Sequence, residues 1–189
     1  MDGLVVEADA AHHMSIMLIA ADDRPPPELE LVVDYRCPFA YLAHQHSVRS
    51  TGEQLGISFY NLNLGLCPDP GQLLIDPRHH RALLAMRAVL ACALANPVLA
   101  ETVHAGMFDS FHRDGRSLHR PQTIESVLAA CGFDPALLRD SNLAAEVDRR
   151  LAVDFRRQLD RAVTGVPAWF RRGRRIETGT DLPTSYESR

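Results

Sequence analysis

The sequence predicts an α/β fold that begins with a short βαβ unit. Residues Leu29 to Asp34 form an apolar, β-branched run typical of a buried strand, and helical spacing follows from Pro38 to about Ser50. Ile57 to Leu64 alternates in the manner of a second strand. The two strands are therefore expected to lie side by side and parallel, joined by a right-handed crossover.

A mainly helical stretch of about ninety residues follows, and a hairpin ends the pattern. The shorter helices are expected at Arg81–Ala95, Pro97–His112, Thr123–Ala130 and after Asp134-Pro135. The longest has an apolar residue every four positions from Leu143 to Val163, and this stripe is expected to cover the sheet. Residues Ala168–Arg171 and Arg174–Glu177 then predict a β-hairpin.

One folded domain with two flanking segments is expected from a chain of 189 residues. Residues 1–27 end in three prolines and show no sustained period, which predicts a flexible N-terminal arm. The domain is expected over 28–179, with its helical part inserted at about 77–140. Residues 180–189 are polar and predict a short tail without a closing helix.

Composition excludes several classes of function. The net charge is −4 and no long basic stretch contains aromatic residues, so a nucleic-acid partner is not expected. The apolar run Ile16 to Ala21 is far shorter than the roughly 18 residues that span a membrane. Acidic residues near the start, among them Asp2 and Glu7, are unlike a secretory signal, so a cytoplasmic location is expected.

The segment Cys37-Pro38-Phe39-Ala40, between the first strand and its helix, resembles a redox motif whose second cysteine is alanine. A cysteine at a helix start lies where unpaired N–H groups and the helix dipole stabilise a thiolate. Pro38 suits the first helical position. Ala40 leaves the site without a nearby resolving thiol. The motif predicts a nucleophile without a local partner, and the alternative is a small buried hydrophobic residue.

Two segments carry a family resemblance: DYRCPFAYLA at 34–43 and TGVPAW at 164–169. They resemble the DsbA-like branch of the thioredoxin superfamily, which includes the kappa-class glutathione transferases and the 2-hydroxychromene-2-carboxylate isomerases. The similarity extends from about Leu29 to Gly179. It implies a thioredoxin-like fold with an inserted helical subdomain. It also implies a cis proline at Pro167 beside Cys37, with the peptide group of Val166 aligning an extended thiol substrate.

The resemblance implies a thiol-dependent oxidoreductase in which Cys37 attacks a disulfide and forms a mixed disulfide that an external thiol resolves. The isomerases and kappa transferases place serine where Cys37 stands. A glutathione-dependent isomerase or transferase, with Cys37 positioning the bound thiol, is therefore the alternative. A non-catalytic binding module is a third interpretation, since a missing closing helix would leave apolar surface for a partner.

The expected partners follow from the same resemblance. They are a small thiol or a protein disulfide, and a homodimer is left open. No tightly bound cofactor is expected, although glutathione or another low-molecular-weight thiol would serve as a co-substrate.

Several residues near Cys37 are candidates for substrate binding or support. Tyr41 shares a helical face with Cys37 and either presents its hydroxyl to a substrate or packs helix to sheet. Arg36 either favours the thiolate or points to solvent. Asn61 and Asn63 either line a substrate pocket or pair with backbone at the strand end, and the second is favoured. The candidate substrate-binding residues are Pro38, Tyr41, Val166 and Pro167, with Cys37 as the catalytic residue.

The other cysteines have no CxxC spacing, so neither a structural zinc site nor a disulfide framework is expected. Cys67, after the second strand, is either a remote resolving thiol or an unrelated loop cysteine, and the second is favoured. Cys92 and Cys131 lie on apolar helical faces and are expected in the core.

The nine histidines include pairs that invite a metal interpretation: His12-His13, His44 with His46, and His79-His80. Adjacent histidines on a helix point to different faces and no third ligand stands at a metal-site spacing. We therefore expect no metal, and solvated side chains. His104, His112 and His119 lie in the helical insertion, which in the family covers the active-site cleft, and one of them is a candidate base or ligand near Cys37.

Four arginines surround the turn at Gly173: Arg171, Arg172, Arg174 and Arg175. They form either an anion site for an acidic thiol or carboxylate substrate, or a charged edge that resists aggregation. The charged edge is the favoured interpretation.

Overall fold

A mixed β-sheet forms the centre of the protein in a computed structural model. The structure describes residues 16–18, 27–50, 55–61, 69, 71, 74 and 83–177. The strands are β1 (Ile16–Leu18), β2 (Leu29–Val33), β3 (Leu55–Phe59), β4 (Ala168–Arg171) and β5 (Arg174–Ile176). They lie in the order β1-β3-β2-β4-β5, with β3 parallel to β1 and β2, and β4 antiparallel to β2 and β5. The predicted parallel pair and the predicted hairpin are both confirmed.

The α-helices lie close to their predicted positions. They are α1 (Pro38–Ser50), α2 (Leu84–Ala95), α3 (Ala100–His112), α4 (Pro121–Ala130) and α5 (Ser141–Asp160). Two short 3₁₀ helices, Pro97–Leu99 and Pro135–Arg139, precede α3 and α5. The segment after Asp134 is thus a 3₁₀ helix, whose start is capped by the Asp134 carboxylate accepting the Ala136 N–H at 2.9 Å.

Strand β1 corrects the predicted flexible arm. Residues 16 to 18 pair in parallel with Leu55 to Ile57, so this part of the chain belongs to the sheet. Three apolar residues are too few for a periodic signal, but they cover an edge of β3 that would otherwise carry unpaired backbone groups. The predicted tail at 180–189 lies outside the described residues, as do Asn63 and Cys67.

Helix α5 covers the sheet as predicted, and it does so partly through charged side chains. The Asp154 carboxylate accepts the N–H of Phe59 at 2.7 Å, and Arg157 donates to the Ser58 hydroxyl at 2.7 Å. Arg161 donates to both carboxylate oxygens of Glu30, at 3.0 and 2.9 Å. Glu30 and Asp154 are almost completely buried, so these bonds compensate charges that would be costly alone.

Candidate active site

Cys37 lies between the end of β2 and the start of α1. Its N–H donates to the Asp34 carbonyl at 3.0 Å, which closes a tight turn, and its own carbonyl accepts the first helical N–H, from Tyr41, at 3.1 Å. Cys37 therefore stands at the N-terminal end of α1, where the free N–H groups and the dipole favour a negative charge. Its side chain is 8% exposed.

The loop before β4 brings a cis peptide bond to the Cys37 thiol. The bond between Val166 and Pro167 is cis, and the Cys37 Sγ lies 3.2 Å from the Val166 carbonyl oxygen, to which the S–H donates. Because β4 pairs with β2, the two segments that carry the family resemblance meet at one end of these strands. The cis proline that the resemblance implies is confirmed, and Val166 and Pro167 remain partly exposed beside the thiol.

Arg36 does not extend freely into solvent. Its Nε and Nη2 donate to the two carboxylate oxygens of the buried Asp34, at 3.0 and 2.7 Å, and this pairing raises the pKa of Arg36. Its Nη2 also lies 3.4 Å from the Asn61 Oδ1. The charge of Arg36 is therefore directed at Asp34, and the residue stabilises the turn that carries Cys37.

Asn61 is fully buried just after β3. The preceding residue, Tyr60, donates its N–H to the Val33 carbonyl at 2.9 Å, so the ends of β2 and β3 are joined at this point. The contact with Arg36 connects Asn61 to the Cys37 turn. Asn61 therefore lies near the site but beneath its surface. Its contact with Arg36 is to a side chain, so the favoured interpretation, pairing with backbone at the strand end, stays a prediction.

Tyr41 contacts the helical insertion rather than the sheet. Its hydroxyl donates to the Asp109 carboxylate at 3.0 Å, and its ring stacks on His112 with centroids 4.8 Å apart and planes 9° from parallel. Asp109 also accepts from Arg113 at 2.8 Å. Partial desolvation and the neighbouring carboxylate raise the pKa of Tyr41. The hydroxyl that was a candidate substrate ligand already has a partner on α3.

One face of α3 is directed at the Cys37 turn. His104, Phe108 and His112 follow one another at intervals of four residues, so they share this face. His104 Nδ1 lies 2.6 Å from the Tyr35 hydroxyl, and His112 Nε2 donates to the Tyr35 carbonyl at 2.9 Å. Two of the three candidate histidines therefore reach the turn through Tyr35, and His119 lies beyond the end of α3.

The prediction that His44 is solvated is wrong, because its side chain is only 4% exposed. The ring lies edge-on to His104 at 4.7 Å and stacks on Phe108 at 5.3 Å. Tyr41 and His44 are one helical turn apart on α1, so both face α3. The polarity of His44 predicts a surface position, but its spacing of three residues from Tyr41 places it on the face of α1 that packs against α3.

These buried histidines predict that the protein loses stability in mild acid. Burial lowers the pKa of His44 to about 4 and that of His104 well below its usual range. The unfolded chain therefore binds protons below about pH 6.5 that the native state does not bind, and stability falls as the pH decreases toward 4. For His44 alone the expected loss between pH 7 and 5 is about 2 kcal/mol.

Urea denaturation of wild type, His44→Phe and His46→Phe at both pH values checks this prediction. His46 is exposed on the same helix and serves as the control. The loss should be smaller in His44→Phe than in the other two proteins, and an equal loss in all three would contradict it. Other groups that titrate in this range contribute equally to all three proteins, so their effect cancels in the comparison. Asp154 is one of them, because burial raises its pKa to about 6.

The remaining cysteines of the described residues are poor nucleophiles. Cys92 is fully buried in α2 as predicted, and burial raises its pKa to about 11. Cys131, expected in the core, is partly exposed at the end of α4, and its pKa is also raised by burial. Both thiols are therefore protonated at neutral pH. In the described part of the chain, no group of three histidine, cysteine or acidic side chains is arranged to hold a metal ion.

The arginine cluster lies at the hairpin turn. Arg172 and Gly173 both have positive φ, 48° and 78°, as the tight turn of a hairpin requires. Arg172 pairs with Glu28 at 2.7 Å, and Arg175 lies 3.4 Å from the Ala162 carbonyl. These contacts fit the favoured interpretation of a charged sheet edge.

A cavity of about 540 Å³ lies in the helical part of the protein, away from the contacts of Cys37. It is lined mainly by apolar side chains of α2, α4 and α5, with the ion pair between Arg87 and Asp148 at its wall.

Comparisons with known proteins agree with this architecture. The family model of the DSBA-like thioredoxin domain matches residues 28–188. A search of curated proteins finds no match. Each helix in the described ranges is too short or too polar to cross a membrane.

Three solved structures have the same fold at low identity. DsbA from Xylella fastidiosa is 19% identical, with 86% of this chain and 81% of that chain covered and a TM-score of 0.55. The cytosolic disulfide reductase DsbM from Pseudomonas aeruginosa, solved with GSH, is 16% identical. The match covers 80% of this chain and 90% of that chain, with a TM-score of 0.56. DsbA from Proteus mirabilis, with a non-covalently bound peptide, is 13% identical. The match covers 82% of this chain and 80% of that chain, with a TM-score of 0.52. The predicted thioredoxin-like fold is confirmed.

Proposed function

The chain belongs to the DSBA-like thioredoxin domain family, and we propose that it is a thiol–disulfide oxidoreductase with Cys37 as its single reacting thiol. The observation that carries this proposal is the position of the Cys37 Sγ, at the start of α1 and 3.2 Å from the carbonyl of the cis Val166–Pro167 unit. The helix start favours the thiolate, and the partly exposed peptide group beside it offers hydrogen bonds to an extended substrate.

The reaction has three exchange steps. The Cys37 thiolate attacks one sulfur of a disulfide, a new S–S bond forms, and the other sulfur leaves as a thiolate that takes a proton from water. An external thiolate then attacks the Cys37 sulfur of this mixed disulfide, and the second substrate sulfur leaves as a thiolate that takes a proton from water. A second external thiolate attacks the sulfur of the first external thiol, now bonded to Cys37, and Cys37 leaves as a thiolate. Overall the substrate disulfide is reduced by two electrons and the external thiols are oxidised to a disulfide.

The external thiol is a small molecule such as glutathione in this proposal. Ala40 is completely buried and supplies no second sulfur, while Cys92 is buried in α2. The disulfide reductase DsbM, which has a similar fold, was solved with GSH, and this supports a small thiol of that kind. A cytoplasmic location, where thiols are kept reduced, is part of the same proposal.

The substrate is a protein or peptide disulfide. Phe39 is 68% exposed and Leu42 49% exposed on the first turns of α1, so apolar surface lies close to the thiol. Exposed apolar patches of this kind mark interaction sites, and an extended chain would contact them while its backbone approaches Val166. The Proteus mirabilis DsbA with its bound peptide is a precedent within the fold.

A glutathione-dependent isomerase or transferase is the second candidate. It is favoured by Ala40, since a site without a second cysteine is not built for an internal dithiol cycle. In this case the Cys37 thiol would donate a hydrogen bond to the thiolate of bound glutathione, which carries out the chemistry.

Intact-mass measurement tests the proposed function. Reduced protein is incubated with oxidised glutathione at neutral pH, and one glutathionyl adduct is expected on wild type and on a Cys131→Ser control. The adduct should be absent from Cys37→Ser. Unmodified wild type, or an adduct that persists in Cys37→Ser, would contradict the proposal.

A further inference from the structure

His112 is the histidine in the described residues that bonds to the backbone of the Cys37 turn. Its Nε2 donates to the Tyr35 carbonyl at 2.9 Å, two residues before the thiol. Its ring is partly buried at the end of α3. This bond connects the helical insertion directly to the turn.

The same ring also contacts the residue that follows the thiol by one helical turn. It stacks on Tyr41 at 4.8 Å, and the Tyr41 hydroxyl is held by Asp109, one turn earlier on α3. His112 thus contacts both sides of the segment that carries Cys37.

We propose that His112 is a positioning residue for Cys37. By donating to the Tyr35 carbonyl, His112 holds this carbonyl away from the Cys37 thiolate and compensates the carbonyl dipole. This inference rests on the proposed function of Cys37. The turn between Tyr35 and the thiol is closed by the Cys37 N–H on the Asp34 carbonyl, so the Tyr35 peptide group is within one tight turn of the sulfur. A carbonyl oxygen without a donor would present its negative end to the same region.

The charged groups around this turn are already paired with one another. Asp34 binds Arg36 within the turn, and Asp109 binds Arg113 on α3. His44, on α1, is buried and neutral near pH 7. Because these charges are compensated, removal of the His112 hydrogen bond to the Tyr35 carbonyl should make the Cys37 thiolate less stable.

The rate of Cys37 alkylation as a function of pH tests the proposal, with Cys67, Cys92 and Cys131 followed by peptide mapping. His112→Phe keeps an aromatic ring against Tyr41 but lacks the donor. It is expected to slow alkylation at pH 7 about tenfold and to move the half-maximal rate to higher pH. His112→Gln keeps an N–H donor and should stay within about threefold of wild type. His119→Phe, outside this contact, is the control and should not differ from wild type.

Two results would overturn the inference: a folded His112→Phe with the wild-type pH profile, or a His112→Gln as slow as His112→Phe. Should His112→Phe fail to fold, His112→Met replaces it with the same expectations. Alkylation needs only the thiolate, so it tests His112 even if no mixed disulfide forms and the proposed function fails.

Discussion

Replacement of Cys37 by serine is expected to reduce the glutathione-driven turnover of a disulfide peptide to the uncatalysed rate. A hydroxyl at this position cannot form the mixed disulfide on which the exchange depends. The measurement follows oxidised glutathione in a coupled assay. Cys131→Ser changes a partly exposed thiol at the end of α4 and should retain wild-type turnover.

The same variant separates the two enzyme classes. If bound glutathione does the chemistry, serine can still donate a hydrogen bond to its thiolate, and conjugation or isomerisation of an electrophile should survive Cys37→Ser. Retained activity of that kind would contradict exchange as the main reaction. Loss of disulfide turnover, with no such activity in wild type, would support it.

Phe108→Ala is expected to have the largest effect on stability, about 3–5 kcal/mol. Phe108 is completely buried at the centre of the contact between α1 and α3. Its ring lies 4.8 Å from Tyr35, 5.3 Å from His44 and 5.2 Å from His104. Truncation would leave a cavity among rings that have few other ways to pack.

Phe39→Ala is the matched control for Phe108→Ala, since it removes the same atoms from a ring that is 68% exposed. Its expected change in the free energy of unfolding is within about 0.5 kcal/mol. Urea denaturation of the three proteins gives both values. Equal losses in the two variants would contradict the structural role of the α1–α3 contact.

The fold was predictable where the signal is local. The parallel pair of β2 and β3, the stripe of α5 and the hairpin follow from periodicity and turn residues within short windows. Strand β1 was missed because three apolar residues make no period, and its place depends on the free edge of β3. The pairing of β1 with β3 joins segments far apart in the sequence, so neither segment alone contains a pattern that predicts it.

The candidate site was predictable in part. The meeting of Cys37 with Pro167 came from the family resemblance, because no local pattern connects residues 130 positions apart. The residues that α3 brings to the turn were not predictable: three histidines were equal candidates, and only the packing of α3 on α1 distinguishes His104 and His112 from His119. The sequence predicts that Arg36 either favours the Cys37 thiolate or points to solvent, whereas its guanidinium group binds the Asp34 carboxylate.

The central claim is that Cys37 works without another cysteine of this chain, and a variant that retains only Cys37 tests it most directly. Cys67→Ser, Cys92→Ala and Cys131→Ser are combined, and glutathione-driven turnover of a disulfide peptide is measured beside wild type. Turnover within about threefold of wild type is predicted, since the external thiol resolves the mixed disulfide. A folded variant that forms the adduct but no longer turns over would contradict the account, because an internal thiol would then be the resolving group.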